Sequence, residues 1–207
     1  LLLILFGLTA CNPGPSTPSE LHQAVASTTL VGDIVHVVAG DTIELAILLP
    51  PGADPHTYEP SPQDLTKIAD AELIFLNGGG LEELMEPLIE NAGGSGKVIH
   101  LSDGINLLEG TGEHSAEATL KLEDNDHHPQ GDPHVWTDPN NILIWVDTIE
   151  KALKDLNPEE AATYQTNAEQ YRAELQALDA WIAGEVALIP NRNRLMVTDH
   201  QEFTYFA

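Results

Sequence analysis

Three of the nine histidines stand in surroundings that resemble one another: His56 in PPGADPHTYEPSP, His134 in GDPHVWTDP and His200 in LMVTDHQEFTYF. Each follows a strand-like apolar run or stands at the entrance to a helix. Neutral imidazole donates a nitrogen lone pair to zinc and other late first-row metals, so three such rings converging on one cleft would form a nitrogen-rich metal site. Each has a plainer reading when taken alone. His56 would cap or bridge a turn, His134 would bond a backbone carbonyl beside Trp136, and His200 would close the start of a helix. Cys11 is the only cysteine, which excludes both an intramolecular disulfide and a cysteine-rich structural zinc site. A metal here must be held by nitrogen and oxygen.

Whether the histidines converge depends on the elements between them. Residues 25–28 and 42–49 read as strands around a helix-period stretch at 34–38, a short strand–helix–strand unit that implies a parallel sheet. The prolines and glycine of residues 50–55 end the second strand in a loop. Ser61 and Pro62 give a capping residue and a first-turn proline for a helix reaching about Asp70. A strand at 72–77, a helix at 81–91 and a strand at 97–101 continue the alternation, so the first hundred residues read as an α/β lobe. Ligands in such lobes bind at the carboxyl ends of the strands, where the histidine loops would lie. Residues 110–131 carry His114, His127 and His128 among Glu113, Glu117, Glu123, Asp124 and Asp126 with little periodicity, and read as an exposed loop. Residues 158–189 read as one long helix, with Tyr164, Ala168, Tyr171, Leu175, Leu178 and Ile182 three or four apart. Residues 194–198 read as a further buried strand.

Lys and Arg total 8 against 33 Asp and Glu, a formal charge of -25, so the surface repels nucleic acid and no nucleic-acid partner is expected. Cations suit this field, although an acidic surface also serves solubility alone. Residues 1–10 form an apolar run of signal-peptide length, about half of what a spanning helix needs. The run ends at Leu8-Thr9-Ala10-Cys11 before a Pro/Ser/Gly-rich stretch at 12–19. This arrangement resembles the bacterial lipoprotein cleavage site, which implies that Cys11 is acylated on sulfur and becomes the mature N-terminus. A buried N-terminal element with an ordinary buried cysteine is the alternative. With neither an initiator Met nor a basic leader, the sequence is expected to start inside its true N-terminus.

The segments LLPPGADPHTYEPSPQDL, DPHVWTDP and RLMVTDHQEFTYFA resemble, in order and approximate spacing, the three metal-ligand segments of the zinc and manganese substrate-binding proteins of ABC transporters. The resemblance covers nearly all of the chain after the tether. It implies that His56, His134 and His200 are metal ligands and that no residue is catalytic. The implied fold is α/β and two-lobed, each lobe a parallel sheet with flanking helices, the lobes joined by one long helix with the metal between them. The organisation expected from it is the end of a signal peptide at 1–11, a tether at 12–24, an N-terminal metal-binding lobe at 25–157, a connecting helix at 158–189 and the start of a mostly missing second lobe at 190–207. A fourth ligand, Asp or Glu, is expected beyond residue 207. In the manganese-preferring branch the third position is usually a carboxylate, so His200 implies zinc, with manganese as the alternative; some relatives with histidine here also carry manganese.

The partners implied are an ABC transporter permease, the metal itself and, through Cys11, the membrane, with an extracytoplasmic location. The 110–131 loop is similar to the acidic His-rich insert of the zinc-specific branch and would hold metal weakly. Glu202 stands where the family usually has a small residue, as either an acceptor for a ligand histidine or an exposed helix-start carboxylate, and Thr204 replaces a common glycine. A zinc hydrolase is the rival from another class, with Glu59, Asp199 or Glu202 as nominal bases, but the chain has no HExxH helix. A surface adhesin, a role described for relatives, finds no repeated module or large aromatic patch in the sequence. If the lipoprotein reading holds, Cys11→Ser in the full-length protein moves it from the membrane to the soluble fraction, because the remaining apolar run cannot anchor it; cell fractionation and blotting check this, and unchanged membrane retention would refute it.

Overall fold

A computed structural model describes residues 21–55, 57–109, 131–198 and 202–206. Four parallel strands, β1 (His22–Ala26), β2 (Ile43–Ile47), β3 (Leu73–Leu76) and β4 (Val98–His100), form a sheet in the order β2-β1-β3-β4. The helices are α1 (Thr29–Ala39), α2 (Pro62–Asp70), α3 (Glu86–Asn91), α4 (Pro139–Leu156) and α5 (Ala161–Leu188). Strand alternation divides the apolar residues between two cores. Ala24, Ala26 and Phe75 face a core shared with α1, α4 and α5, while Val25, Ile74 and Leu76 face Ile68, Met85 and Ile89 on the side of α2 and α3. With both faces covered, the sheet can be all parallel. The α/β class and the parallel sheet flanked by helices expected from the sequence are what the chain forms.

Caps set the helix starts. The Thr28 hydroxyl accepts the Val31 amide at the start of α1, and Gly40, at φ 60°, ends that helix in a conformation that favours glycine. In α2, Ser61 and Asp64 form a reciprocal capping box with Pro62 in the first turn. β1 begins at His22, inside the stretch assigned to the tether, and Thr28 belongs to the α1 cap rather than to a strand.

Other differences have local causes. The helix expected at 81–91 is confined to Glu86–Asn91, and the chain before it runs in turns closed by Leu81 N–H to Gly78 O, Met85 N–H to Glu82 O and their neighbours. Pro87 lies in the first turn of α3, where its missing amide costs nothing. α4 adds a helix absent from the sequence assignment, capped by the Asp138 side chain on the Asn140 amide, with Ile142, Trp145, Val146, Ile149 and Leu153 buried. Residues 194–198, expected as a buried strand, are exposed and form none: Leu195 is 86% and Val197 97% exposed. No strand among the described residues lies beside them to accept their backbone hydrogen bonds.

The long helix is present as α5, entered through a 3-10 turn at Pro158–Glu160, and its 28 residues span about 42 Å. Its first half is fixed to the sheet layer: Tyr164, Ala168 and Leu175 are buried, the Tyr164 hydroxyl lies 2.9 Å from Thr42 Oγ1, and Asn167 donates to Val38 O at 3.1 Å. Arg172 bridges to Asp147 and Glu150 of α4. Beyond Leu175 the helix exposes Leu178, Trp181 and Leu188. No helix among the described residues is long and apolar enough to cross a membrane.

Asp64 offers a direct test of the α2 cap. Burial raises its pKa, but bonds from the Ser61 hydroxyl, Lys67, the Ser61 amide and Tyr58 outweigh this and lower it from 3.8 to about 2. A depressed folded pKa adds stability that is complete above the unfolded value and lost as pH falls through the folded one. Asp64→Asn is therefore expected to cost roughly 2 kcal/mol at neutral pH, and the gap should close as pH falls from about 4 towards 2; urea midpoints of both proteins across that range give the measurement.

Candidate metal centre

β1 and β3 are neighbours whose chains depart in opposite directions, β1 towards β2 and β3 towards β4, so the sheet has its switch point between them. Backbone pairing continues past the strands, with Ser27 N–H to Phe75 O, Leu48 N–H to Ala26 O and Ser102 N–H to Asn77 O each at 2.9 Å. The loops leaving Leu49, Asn77 and Ser102 thus start from one carboxyl edge.

His56 lies outside the described residues, but the loop around it has a clear anchor. The Tyr58 hydroxyl is 3.0 Å from Leu48 O and 3.0 Å from Asp64 Oδ2, which ties the loop to the β2 exit and the α2 cap together. Burial, with the hydrogen bond and charge of Asp64 adding to it, raises the Tyr58 phenol above its ordinary value, so the hydroxyl stays protonated.

His134 is the sequence-predicted ligand whose geometry is described. It is 5% exposed, and its Nδ1 lies 2.7 Å from Asp132 Oδ1, which also accepts the His134 backbone amide at 2.9 Å. Burial pushes the Asp132 carboxyl up, but the Thr204 hydroxyl, the His134 amide, the His134 ring and its charge together hold it below the usual carboxylate range. An ionised Asp132 only accepts, so the shared proton sits on Nδ1, and Nε2 is the nitrogen that a neutral ring would offer as an electron donor. The Trp136 ring packs edge-on at 5.2 Å, and Thr137 Oγ1 donates to His134 O at 3.0 Å. Before the histidine, Asn77 Nδ2 donates to Pro133 O at 3.0 Å. Carboxylate, imidazole and a coordinating nitrogen in series is the arrangement by which proteins orient a histidine ligand.

His200 also lies outside the described residues, yet the segment just after it is fixed against the same loop. The Tyr205 hydroxyl donates to Asp132 O at 2.7 Å and accepts the Leu108 amide at 3.0 Å, and Phe203 and Phe206 stack edge to face at 6.4 Å. Thr204, the departure from the usual glycine, is among the groups acting on Asp132, and Glu202 is half-buried. Sequence reasoning therefore missed Asp132, Tyr205 and Asn77. Asp132 had a readable signal, a carboxylate two residues before a candidate ligand in GDPH, whereas Tyr205 acts across a gap of 73 residues.

Among the described residues no three His, Cys, Asp or Glu side chains gather as a metal cluster, and two of the three predicted ligands are not among them. Cys11 and the acidic loop at 110–130 also fall outside the described residues.

Comparison with known proteins agrees with this architecture. A family model described as the periplasmic component A of a zinc-uptake complex matches residues 24–207. A manganese-binding lipoprotein of Halalkalibacterium halodurans is 33% identical over 204 residues, 99% of this chain and 63% of that protein. Among solved structures, a Mn-bound periplasmic metal binding protein from Candidatus Liberibacter asiaticus has a TM-score of 0.75 at 27% identity, covering 89% of this chain and 64% of that one. A zinc-bound deletion mutant of ZnuA has a TM-score of 0.78 at 27% identity, covering 90% of this chain and 66% of that one. The chain thus spans a little under two thirds of the length of the first of these relatives. With its parallel sheet, its long helix and a family match across nearly all of its length, the chain belongs to the family described as the periplasmic component A of a zinc-uptake complex.

Proposed function

We propose that the protein captures a divalent transition metal outside the cytoplasm and delivers it to the permease of an ABC importer, and that zinc is the metal. His56, His134 and His200 are the ligands in this reading, with Cys11 carrying the lipid anchor. The observation that supports it most is the pairing at His134. A buried carboxylate fixes Nδ1 as the protonated nitrogen, and the segment that follows His200 is bonded to the same Asp132. A histidine that merely fills a core would need neither the tautomer lock nor the docking.

Three neutral imidazoles and one carboxylate would supply the four ligands zinc prefers. Manganese is the second reading, favoured by the similarity to the manganese-binding lipoprotein of Halalkalibacterium halodurans. Because zinc outcompetes manganese at almost any nitrogen and oxygen site, tight zinc binding alone does not separate them, and the ratio of affinities does.

Two sets of variants in the full-length protein carry the test. His200→Glu is expected to narrow the zinc-to-manganese affinity ratio, and His200→Ala to weaken zinc by several kcal/mol; competitive titration with both metals reads this, and full zinc affinity in His200→Ala removes the residue from the site. Asp132→Ala is expected to turn the fixed His134 tautomer into a mixture, visible in long-range nitrogen–proton spectra of the ring, and to weaken zinc by about 10- to 100-fold. An unchanged ring spectrum and unchanged affinity would mean that Asp132 does not orient the ligand.

A further inference from the structure

Glu82 is fully buried, yet neither the apolar cores nor the metal ligands account for it. Its Oε1 accepts the Ser27 hydroxyl at 2.6 Å and the Asn77 amide at 2.8 Å, and its Oε2 accepts the Gly78 amide at 3.0 Å. Ser27 and Asn77 are the residues that continue β1 and β3, so this carboxyl group occupies the switch point of the sheet, the crevice where α/β proteins commonly place a ligand. Burial lifts its pKa, and the three hydrogen bonds and nearby His100 offset only part of the rise. A group this costly to bury is expected to have a role beyond filling space.

With its backbone held by Glu82, Asn77 spends both amide protons on carbonyls, Gly78 O at 2.8 Å and Pro133 O at 3.0 Å. The Pro133–His134 peptide is thereby gripped on both sides, its carbonyl by Asn77 and its N–H by Asp132. Gly79 lets the two loops close to this distance: it lies at φ +64°, and a Cβ there would come 3.3 Å from Pro133 Cα.

We infer that Glu82 is a positioning residue for the His134 ligand, acting through Asn77 and the Pro133–His134 peptide. The inference rests on His134 being a metal ligand. Asp132 sets the direction of the ring, while Glu82 and Asn77 set where the backbone that carries the ring stands relative to the sheet. The chemistry of substitution is specific. Glu82→Gln keeps the shape but cannot keep the bonds, because both carboxylate oxygens face backbone N–H groups and the new amide turns one acceptor into a donor. Asn77→Ala removes the two carbonyl contacts and leaves the Glu82 cradle standing.

The test makes Glu82→Gln, Asn77→Ala and the double variant in the full-length protein, and measures zinc affinity by competitive titration beside hydrogen exchange at the His134 amide. Each single variant is expected to bind zinc about 10-fold more weakly, in the range found when support for a ligand is removed. His134 exchange should quicken by more than that of the β3 amides of Ile74 and Phe75. The double variant should be no worse than the worse single, because both changes cut one path. A merely structural role for Glu82 would speed exchange in Glu82→Gln at Phe75 as much as at His134; that result overturns the inference. Multiplying effects in the double variant, or parent-like affinity and exchange in Asn77→Ala, overturn it as well. If Glu82→Gln does not fold, Ser27→Ala, which removes one of the bonds holding the Glu82 carboxyl, takes its place with the same expected outcomes. If the parent binds neither zinc nor manganese, the proposed function fails, and the His134 exchange rates still decide whether Glu82 and Asn77 hold that peptide.

Discussion

The Asp132 carboxylate is the interaction on which the arrangement of the candidate metal centre depends. One oxygen accepts both the amide and the ring of His134, and the backbone carbonyl of the same residue accepts Tyr205 from the far end of the chain. Segments distant in sequence are therefore coupled through a single residue. Burying a carboxylate is unfavourable unless its charge is matched by donors, and here the donors include the groups being positioned, so the cost of burial and the precision of the site are linked. Removing the carboxylate would release the ring and the Thr204 hydroxyl together, while the Tyr205 bond, made to the backbone carbonyl, would not depend on the charge.

The rest of the fold determines where this can happen. A parallel sheet covered on both faces offers little room for a ligand except along its edges, and the carboxyl edge is where the loops after β2, β3 and β4 emerge. α4 and the first half of α5 secure the lobe by packing Trp145, Ile149, Tyr164 and Ala168 against α1 and the sheet. The polar bonds from Tyr164 to Thr42 and from Asn167 to Val38 fix the register of α5 on that layer. The exposed Trp181 and Leu188 then lie on the part of the helix that this lobe does not support.

How much of this was legible in the sequence follows the range of the forces involved. The α2 start was readable to the residue, because Ser61, Pro62 and Asp64 act within one turn. The parallel alternation was readable from apolar runs and glycine breaks. α4 was legible from Asp138 and Pro139, a capping residue and a first-turn proline, and from the helical spacing of Ile142, Trp145, Val146, Ile149 and Leu153, but the sequence assignment lacks it. The 81–91 assignment overran because the buried Glu82 looks like a surface helical glutamate until its partners at Ser27 and Gly78 are seen. Residues 194–198 have strand composition, but a strand exists only through its neighbours, and none stands beside them among the described residues. For the site, residue types named the ligand candidates, whereas Asp132, Asn77, Glu82 and Tyr205 are recognisable mainly from where the folded chain puts them.

In the proposed function, metal selectivity would give the positioning of His134 its physical purpose. The acidic surface raises the local concentration of every divalent cation and cannot choose among them. Intrinsic affinity cannot choose manganese over zinc either, since zinc stands above it for almost any set of nitrogen and oxygen ligands. What remains under the protein's control is geometry, the number of donors and the directions they can take. An imidazole with its tautomer locked by Asp132 and its backbone gripped by Asn77 has a single direction in which to offer Nε2. Such a donor suits a cation content with four ligands in fixed positions and is less accommodating to one that seeks a larger shell. If His134 is a ligand as proposed, the fixed setting of its ring and backbone would bear on which metal is retained, and that setting is built from Asp132 and Asn77, residues that a search for ligand side chains alone passes over.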